Sequence, residues 1–250
     1  MKFVAIIPAR YASTRFPAKP LAMLGGKTII QRVYERVSQS FDEVCVATDD
    51  QRILSAVESF GGRAVMTSVN HRSGTDRCYE AYCTLDSDAD VVVNVQGDEP
   101  FIAASQLNTI KACFADTSTQ IATLVKPFSA EATYEVVANP NSPKVVVSND
   151  DYALYFSRSV IPFMRGIPQD EWPAKHRYLK HIGLYAYKAN VLKQITSMPQ
   201  SELEKIESLE QLRWLQAGLR IKVGYTDVET IGIDTPEDLQ RAEQFLKDNK

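Results

Sequence analysis

Apolar runs rich in β-branched residues alternate with amphipathic helical patterns through the first half of this chain. The runs cover residues 3–8, 44–47, 63–66, 91–95 and 120–125, and the helical patterns cover residues 29–37, 50–60, 75–85 and 105–114. A strand that is apolar without interruption is typical of a parallel sheet covered on both faces. The alternation therefore predicts an α/β fold with a Rossmann-like, mostly parallel sheet and helices on both faces.

The second half of the chain departs from this alternation. A turn cluster at residues 139–143 precedes two short apolar runs, 145–147 and 152–156, which predict a β-hairpin. The segments predicted beyond it are a loop at 166–177, a strand at 182–187, a long helix at 203–215, a strand at 221–225 and a terminal helix at 236–246 capped by Thr235. No linker divides the 250 residues, so we predict one domain, 1–250, with an insert at 137–187.

Charge and composition exclude several classes of function. The 28 Lys and Arg residues against 31 Asp and Glu give a net charge of -3, which offers no basic excess for a nucleic-acid backbone. No apolar run approaches the length of a membrane helix, and the apolar start is too short for a secretory signal. Four cysteines without a C-x-x-C pair indicate a reducing compartment. We therefore expect a cytoplasmic protein without nucleic-acid or membrane partners.

Three cations lie within ten residues directly after the first predicted strand. They are Arg10, Arg15 and Lys19, with small residues between them and prolines at the far end of the loop. Ligands of parallel α/β sheets bind at the carboxyl ends of the strands, and a loop with several cations and free amides suits a polyphosphate. The alternative interpretation is a solvated surface loop.

Acidic residues follow two other apolar segments. Asp98 lies just beyond the strand at 91–95, and Asp234 follows the apolar stretch 231–233 before the terminal helix. Magnesium prefers one or two carboxylates together with substrate phosphates. Both acids could instead belong to a turn or a helix start. Ser73 and Gly74 open the helix at 75–85, where the amides favour a polar ligand or are simply capped.

Taken together, these segments resemble the cytidylyltransferases that activate acidic sugars, and specifically the 3-deoxy-manno-octulosonate (Kdo) cytidylyltransferase family. The motifs that carry the resemblance span nearly the whole chain: Pro8-Ala9-Arg10, Ser13-Thr14-Arg15, Lys19-Pro20-Leu21, Ser73-Gly74-Thr75-Asp76-Arg77, Asn94-Val95-Gln96-Gly97-Asp98-Glu99-Pro100, Tyr155-Phe156-Ser157-Arg158, His181-Ile182-Gly183, Glu207-Ser208-Leu209-Glu210-Gln211-Leu212-Arg213 and Asp234-Thr235-Pro236-Glu237-Asp238-Leu239. One departure is Ala18, where the family's loop leads us to expect glycine.

The resemblance implies a nucleotidyltransferase fold and a nucleotidyltransferase reaction. CTP and Kdo would be the substrates, CMP-Kdo and pyrophosphate would be the products, and Mg²⁺ would be the cofactor. The CMP-Kdo would be used in lipopolysaccharide synthesis. It also implies a homodimer, with the hairpin at 145–156 as a candidate contact. The alternatives are a different acceptor, such as sialic acid, 8-amino-Kdo or a sugar phosphate, or a non-catalytic protein that binds a nucleotide sugar.

The resemblance also implies roles for particular residues. The implied catalytic residues are Arg10, Arg15, Lys19 and Asp98. The implied nucleotide-binding residues are Ala9, Arg10, Ser13, Arg15, Lys19, Ser73, Gly74 and Gln96. The implied sugar-binding residues are Gln96, Arg158, His181, Tyr185, Glu210 and Gln211. The implied metal ligands are Asp98 and Asp234.

Overall fold

The structure is a computed structural model that describes residues 1–12, 15–229 and 231–248. The chain divides into two compact units. The first contains residues 1–108, 186–196 and 229–250, and the second contains residues 109–185 and 197–228. The second unit is thus larger than the insert predicted at 137–187 and is built from two segments. The assignment of the whole chain to one domain stays a prediction.

The elements of residues 1–108 are β1 (Phe3–Ala9), β2 (Met23–Leu24), β3 (Lys27–Thr28), α1 (Ile29–Val37), β4 (Glu43–Thr48), α2 (Gln51–Ser59), β5 (Ala64–Met66), α3 (Gly74–Leu85), β6 (Val91–Asn94) and the start of α4 (Ala104–Ala112). The remaining elements are β7 (Ile121–Pro127), α5 (Tyr134–Ala138), β8 (Lys144–Val147), β9 (Ala153–Ser157), α6 (Trp172–Lys175), β10 (Leu179–Lys188), α7 (Ala189–Thr196), α8 (Glu202–Glu207), α9 (Gln211–Gln216), β11 (Ile221–Tyr225) and α10 (Pro236–Asp248). Among the described residues, no helix combines the length and the apolar character that crossing a membrane requires.

A parallel sheet forms the centre of the first unit, as predicted. Strand β1 pairs in parallel with β4 on one side and with β6 on the other, and β5 extends the sheet beyond β4. Residues Val4, Ala5, Ile6 and Ile7 of β1 are fully buried. Because successive strand residues point to opposite faces, both faces of the sheet are covered. The parallel pairing also brings the segments that follow β1, β4 and β6 to one edge of the sheet.

The second unit contains the predicted hairpin. Strands β8 and β9 pair antiparallel, with Val145 opposite Phe156, and β8 also pairs antiparallel with β10. Strands β7 and β11 pair in parallel. A separate apolar cluster is formed by Val137, Trp172 and Tyr178, each at most 2% exposed.

Two predictions for the second unit are wrong. The helix predicted at 203–215 is two helices, α8 and α9, because Ser208 has a left-handed backbone with φ of 51°. The loop predicted at 166–177 contains the short helix α6. The two prolines of that segment are typical of loops, so the sequence pattern did not predict a helix there. Pro173 lies in the first turn of α6, where proline is tolerated, and Trp172 is buried in the apolar cluster. The sequence analysis also missed α5 and α7, which have only 5 and 8 residues.

Candidate functional site

The loop after β1 carries the predicted cations, and contacts of Tyr11 and Ala18 hold its two ends. The Ala18 amide donates to the Tyr11 carbonyl at 3.1 Å, and the Arg52 guanidinium lies 3.4 Å from the centroid of the Tyr11 ring. Ala18 has a φ of 58°, a left-handed conformation that glycine adopts without strain and alanine does not. This explains why the resemblance leads one to expect glycine there. Ser13 lies outside the described residues.

Lys19 joins the two acids that were predicted to meet. Its Nζ lies 2.6 Å from an Asp98 carboxylate oxygen and 3.0 Å from an Asp234 oxygen. Arg15 approaches the other Asp234 oxygen at 3.1 Å. Both carboxylates thus lie within hydrogen-bonding distance of one cationic nitrogen. Asp98 and Asp234 are 28% and 46% exposed, so a ligand can reach them.

The main chain explains how two distant acids come together. The Ile233 amide donates to the Asp98 carbonyl at 2.9 Å, although residues 231–234 form no strand of the described sheet. Helix α10 is capped by Thr235 and Asp238, whose side chains each accept from the other's amide. The Asp234 carboxylate is therefore not used as the helix cap and faces Lys19 and Arg15 instead.

Two glycines let neighbouring segments approach the end of β1. A Cβ on Gly97 would lie 2.8 Å from the Pro8 carbonyl oxygen, and one on Gly74 would lie 3.3 Å from the Pro8 ring. The Ser73 hydroxyl accepts from the Asp76 amide and caps α3. The start of α3 and the segment after β6 are consequently held close to the cationic loop.

These segments enclose an open cavity of about 290 Å³ in the first unit. Of the predicted nucleotide and metal residues, the structure brings nine to its walls: Ala9, Arg10, Arg15, Lys19, Ser73, Gly74, Gln96, Asp98 and Asp234. The sequence analysis missed three charged or ionisable wall residues: His71, Arg72 and Arg77. Five of the wall residues are Lys or Arg and two are Asp, so the cavity suits an anionic ligand.

Arg77 differs from Arg15 and Lys19 because its side chain is buried and its acidic partner, Asp49, lies outside the cavity walls. Its side chain is 5% exposed, and its guanidinium donates to Asp49 at 2.7 Å and to the Thr67 hydroxyl at 2.5 Å. Asp49 directly follows β4, and the Thr67 amide donates to the Thr48 carbonyl. Arg77 therefore ties α3 to the ends of β4 and β5. Asp49 follows a buried strand in the sequence, but its partner lies 28 positions away and no local pattern reveals it.

We predict that Asp49→Asn lowers the free energy of unfolding by about 3 kcal/mol, because it leaves a buried guanidinium without its counter-charge. Urea denaturation at neutral pH measures this change. Asp42→Asn is the matched control, since Asp42 is an exposed acid of the same unit. A loss in Asp49→Asn no larger than that of the control would show that the pair does not hold α3.

Three predicted sugar residues, His181, Tyr185 and Glu210, lie close together in the second unit, and Gln211 directly follows Glu210 in the chain. The rings of His181 and Tyr185 are 5.3 Å apart, and Tyr185 packs edge-on against Trp214 at 5.3 Å. Burial, with a smaller contribution from the Glu210 carboxylate, raises the pKa of Tyr185 well above its ordinary value. Gln211 is 4% exposed, and its Nε2 has no hydrogen-bond partner among the described residues. A buried donor without an acceptor is costly, and a polar ligand would satisfy it.

Arg158 lies in the same unit and is bound to the main chain. Its Nε and one terminal nitrogen donate to the carbonyls of Glu207 and Ser208, and the other terminal nitrogen donates to the Pro140 carbonyl at 2.7 Å. The carbonyls of residues 207 and 208 are available because the helix breaks at Ser208. These bonds fix the guanidinium in place, and its predicted role toward a sugar carboxylate stays a prediction.

Comparison with known proteins finds matches over nearly the whole chain. A family model described as Cytidylyltransferase matches residues 4–221. The chain is 66% identical over 247 residues to a 3-deoxy-manno-octulosonate cytidylyltransferase of Bacteroides thetaiotaomicron, covering 99% of each chain. It is 68% identical to the protein of the same name from Phocaeicola vulgatus, covering 99% of this chain and 98% of that one.

A solved structure gives the same result in three dimensions. It is a CMP:2-keto-3-deoxy-manno-octonic acid synthetase complexed with CTP, which is 42% identical, covers 100% of both chains and superposes with a TM-score of 0.91. A 4-diphosphocytidyl-2C-methyl-D-erythritol synthase from Anaerococcus prevotii, 15% identical with a TM-score of 0.61, shares the fold.

Proposed function

The chain belongs to the 3-deoxy-manno-octulosonate cytidylyltransferase family, and from that premise we propose that it transfers CMP from CTP to the anomeric hydroxyl of Kdo. Pyrophosphate is the second product, and CMP-Kdo is used in lipopolysaccharide synthesis. The observation that carries the proposal is the cavity beside β1, where three loop cations and two acids surround one space.

The chain's own cations account for much of this chemistry. The sugar hydroxyl attacks the α-phosphorus, and such transfers depend on in-line positioning and charge stabilisation rather than on covalent catalysis. Arg10, Arg15 and Lys19 line the cavity, where they would hold the triphosphate and stabilise charge on the departing pyrophosphate. The remaining proposed nucleotide contacts are Ser13, which lies outside the described residues, and Ala9, Ser73, Gly74 and Gln96, which line the same cavity.

The acids of the cavity fit a magnesium ion. Within the described part of the chain, no three His, Cys, Asp or Glu side chains cluster as a complete metal site. Asp98 and Asp234 nevertheless both face one cationic nitrogen, and two carboxylates are what Mg²⁺ takes from a protein when phosphates supply further ligands. We propose these two residues as its ligands; when bound, the ion neutralises phosphate charge and polarises the reacting oxygens. Lys19 would then exchange its carboxylate partners for phosphate oxygens.

The predicted sugar-binding residues of the second unit are proposed to bind and recognise the acceptor sugar. Arg158 would meet the sugar carboxylate, whereas His181, Tyr185, Glu210 and Gln211 would contact its hydroxyls. Gln96 stays a proposed contact of both substrates. The unpartnered Nε2 of Gln211 supports a polar ligand at this cluster.

We propose further that the protein acts as a cytoplasmic homodimer with the β8–β9 hairpin in the contact. Leu154 on β9 is 60% exposed, an apolar side chain that a partner would cover. Light scattering should show a dimer for the natural sequence and a monomer for Leu154→Glu. A monomeric natural sequence would rule this contact out.

The proposed activity is tested by coupled pyrophosphate release with CTP, Mg²⁺ and a panel of acceptors. We expect release with Kdo and much slower release with sialic acid, 8-amino-Kdo or a sugar phosphate. Faster release with another member of the panel would reassign the acceptor. No release with any acceptor would favour a protein that only binds a nucleotide sugar.

A further inference from the structure

The Thr123 hydroxyl contacts three polar atoms of residues 181–184 and also the Tyr185 side chain in the second unit. Thr123 is fully buried in β7. Its Oγ1 lies 2.9 Å from the Leu184 carbonyl oxygen, 3.2 Å from the Ile182 carbonyl oxygen and 3.1 Å from His181 Nε2. The last of these contacts connects it to a residue of the proposed sugar cluster.

The hydrogen count decides the direction of these bonds. A hydroxyl has one hydrogen and two lone pairs, and a carbonyl oxygen can only accept. The single hydroxyl hydrogen therefore points toward these carbonyls, with its shorter contact to Leu184, and the two lone pairs of Oγ1 remain for His181 Nε2 and the Tyr185 hydroxyl. If Nε2 were unprotonated, two acceptors would face each other in a buried environment, which is costly. A hydrogen on Nε2 that is donated to Thr123 removes this conflict.

The environment of His181 indicates whether the other ring nitrogen, Nδ1, carries a hydrogen. The ring packs edge-on against Phe156 at 5.3 Å and lies beside Tyr185. Desolvation lowers the pKa of His181 to about 4, so the ring is neutral near pH 7. A neutral imidazole carries one hydrogen, and with that hydrogen on Nε2 the Nδ1 atom is an acceptor. His181 is only partly buried, which leaves room for contact with a ligand.

We propose that Thr123 is a positioning residue that holds His181 in the Nε2–H form, so that Nδ1 accepts a hydrogen bond from a hydroxyl of the acceptor sugar. The functional part of this proposal rests on the function proposed above. Buried Gln211, which follows Glu210 in the chain, supplies a donor without a partner among the described residues. The cluster therefore offers both an acceptor and a donor, which is the pair that sugar hydroxyls require.

The tautomer is measured by long-range proton–nitrogen NMR on the whole enzyme labelled with ¹⁵N-histidine, without substrates. The chain has only 3 histidines, and a His181→Gln spectrum assigns the signal of interest. We expect a protonated Nε2 and an unprotonated Nδ1 at pH 7. An Nδ1–H form in the natural sequence would overturn the proposal. The tautomer is measured on the natural sequence, so the only variant that has to fold is His181→Gln, which assigns the signal.

The positioning role is measured with Thr123→Val and Thr123→Ser. The valine keeps the shape but loses the acceptor, so we expect a shift toward the Nδ1–H form and a rise in the Kdo KM of roughly threefold to tenfold. The CTP KM should stay nearly constant, and serine should restore both the tautomer and the Kdo KM. An unchanged tautomer or Kdo KM in the valine variant would overturn the role of Thr123. Absence of turnover with Kdo in the natural sequence would instead refute the proposed function, while the spectra would still decide the tautomer.

Discussion

Asp98→Asn and Asp234→Asn are each expected to lower turnover by at least about 100-fold, equivalent to about 2.7 kcal/mol of activation free energy. Both carboxylates face the Lys19 ammonium, and they are the two ligands that we propose for magnesium. Asparagine keeps the shape and one acceptor oxygen but removes the negative charge, so the defect is electrostatic rather than steric. Steady-state pyrophosphate release measures the loss. A magnesium titration should show a higher concentration for half-maximal activity in each variant.

Glu237→Gln is the matched control for this pair. Glu237 is an exposed acid at the start of the same helix that follows Asp234, and α10 is capped by Thr235 and Asp238 without it. We expect the control to keep its activity and its magnesium dependence. If Asp234→Asn behaves like Glu237→Gln, Asp234 is only an acid near a helix start and the two-carboxylate site must be abandoned.

Lys19→Ala is expected to reduce kcat/KM for CTP at least about tenfold, since a charge-assisted contact to phosphate contributes roughly 1.5–3 kcal/mol. The structure adds a second expectation, because Lys19 Nζ lies between the two carboxylates proposed to bind magnesium. Removing the ammonium leaves these carboxylates without that counter-charge. Calorimetric titration with Mg²⁺ alone should therefore show tighter binding in Lys19→Ala than in the natural sequence.

Lys27→Ala controls for a general loss of positive charge. Lys27 pairs with Glu35, is 45% exposed and lies outside the cavity. We expect it to change neither CTP turnover nor magnesium binding. Full activity in Lys19→Ala would show that the loop after β1 is only a charged surface.

The parts of the fold that follow from local pattern could be predicted from the sequence. Helix α1 and strand β11 lie at the predicted residues, because their apolar spacing and their boundaries are local properties. The cations of the β1 loop were predictable for a similar reason, since they directly follow a buried strand and parallel sheets place ligands at that edge.

The parts that depend on tertiary contacts could not be predicted. The apolar spacing continues through Ser208, but the helix breaks there and gives two carbonyls to Arg158, which a periodicity cannot show. The pairing of Arg77 with Asp49 likewise could not be predicted, because the two residues lie 28 positions apart and no local pattern connects them. The proximity of Asp98 and Asp234 was predicted from two strand-like segments, whereas in the structure a hydrogen bond from the Ile233 amide to the Asp98 carbonyl connects the two segments.

The most direct test of the proposed reaction is ³¹P NMR of the product made from CTP and Kdo labelled with ¹³C at its anomeric carbon. We predict a phosphodiester signal split by coupling to the labelled carbon, formed in equal amount with pyrophosphate, because CMP becomes attached to the anomeric oxygen. Release of pyrophosphate with free CMP and no carbon–phosphorus coupling would contradict the assignment, since the chain would then hydrolyse CTP rather than transfer CMP to the sugar.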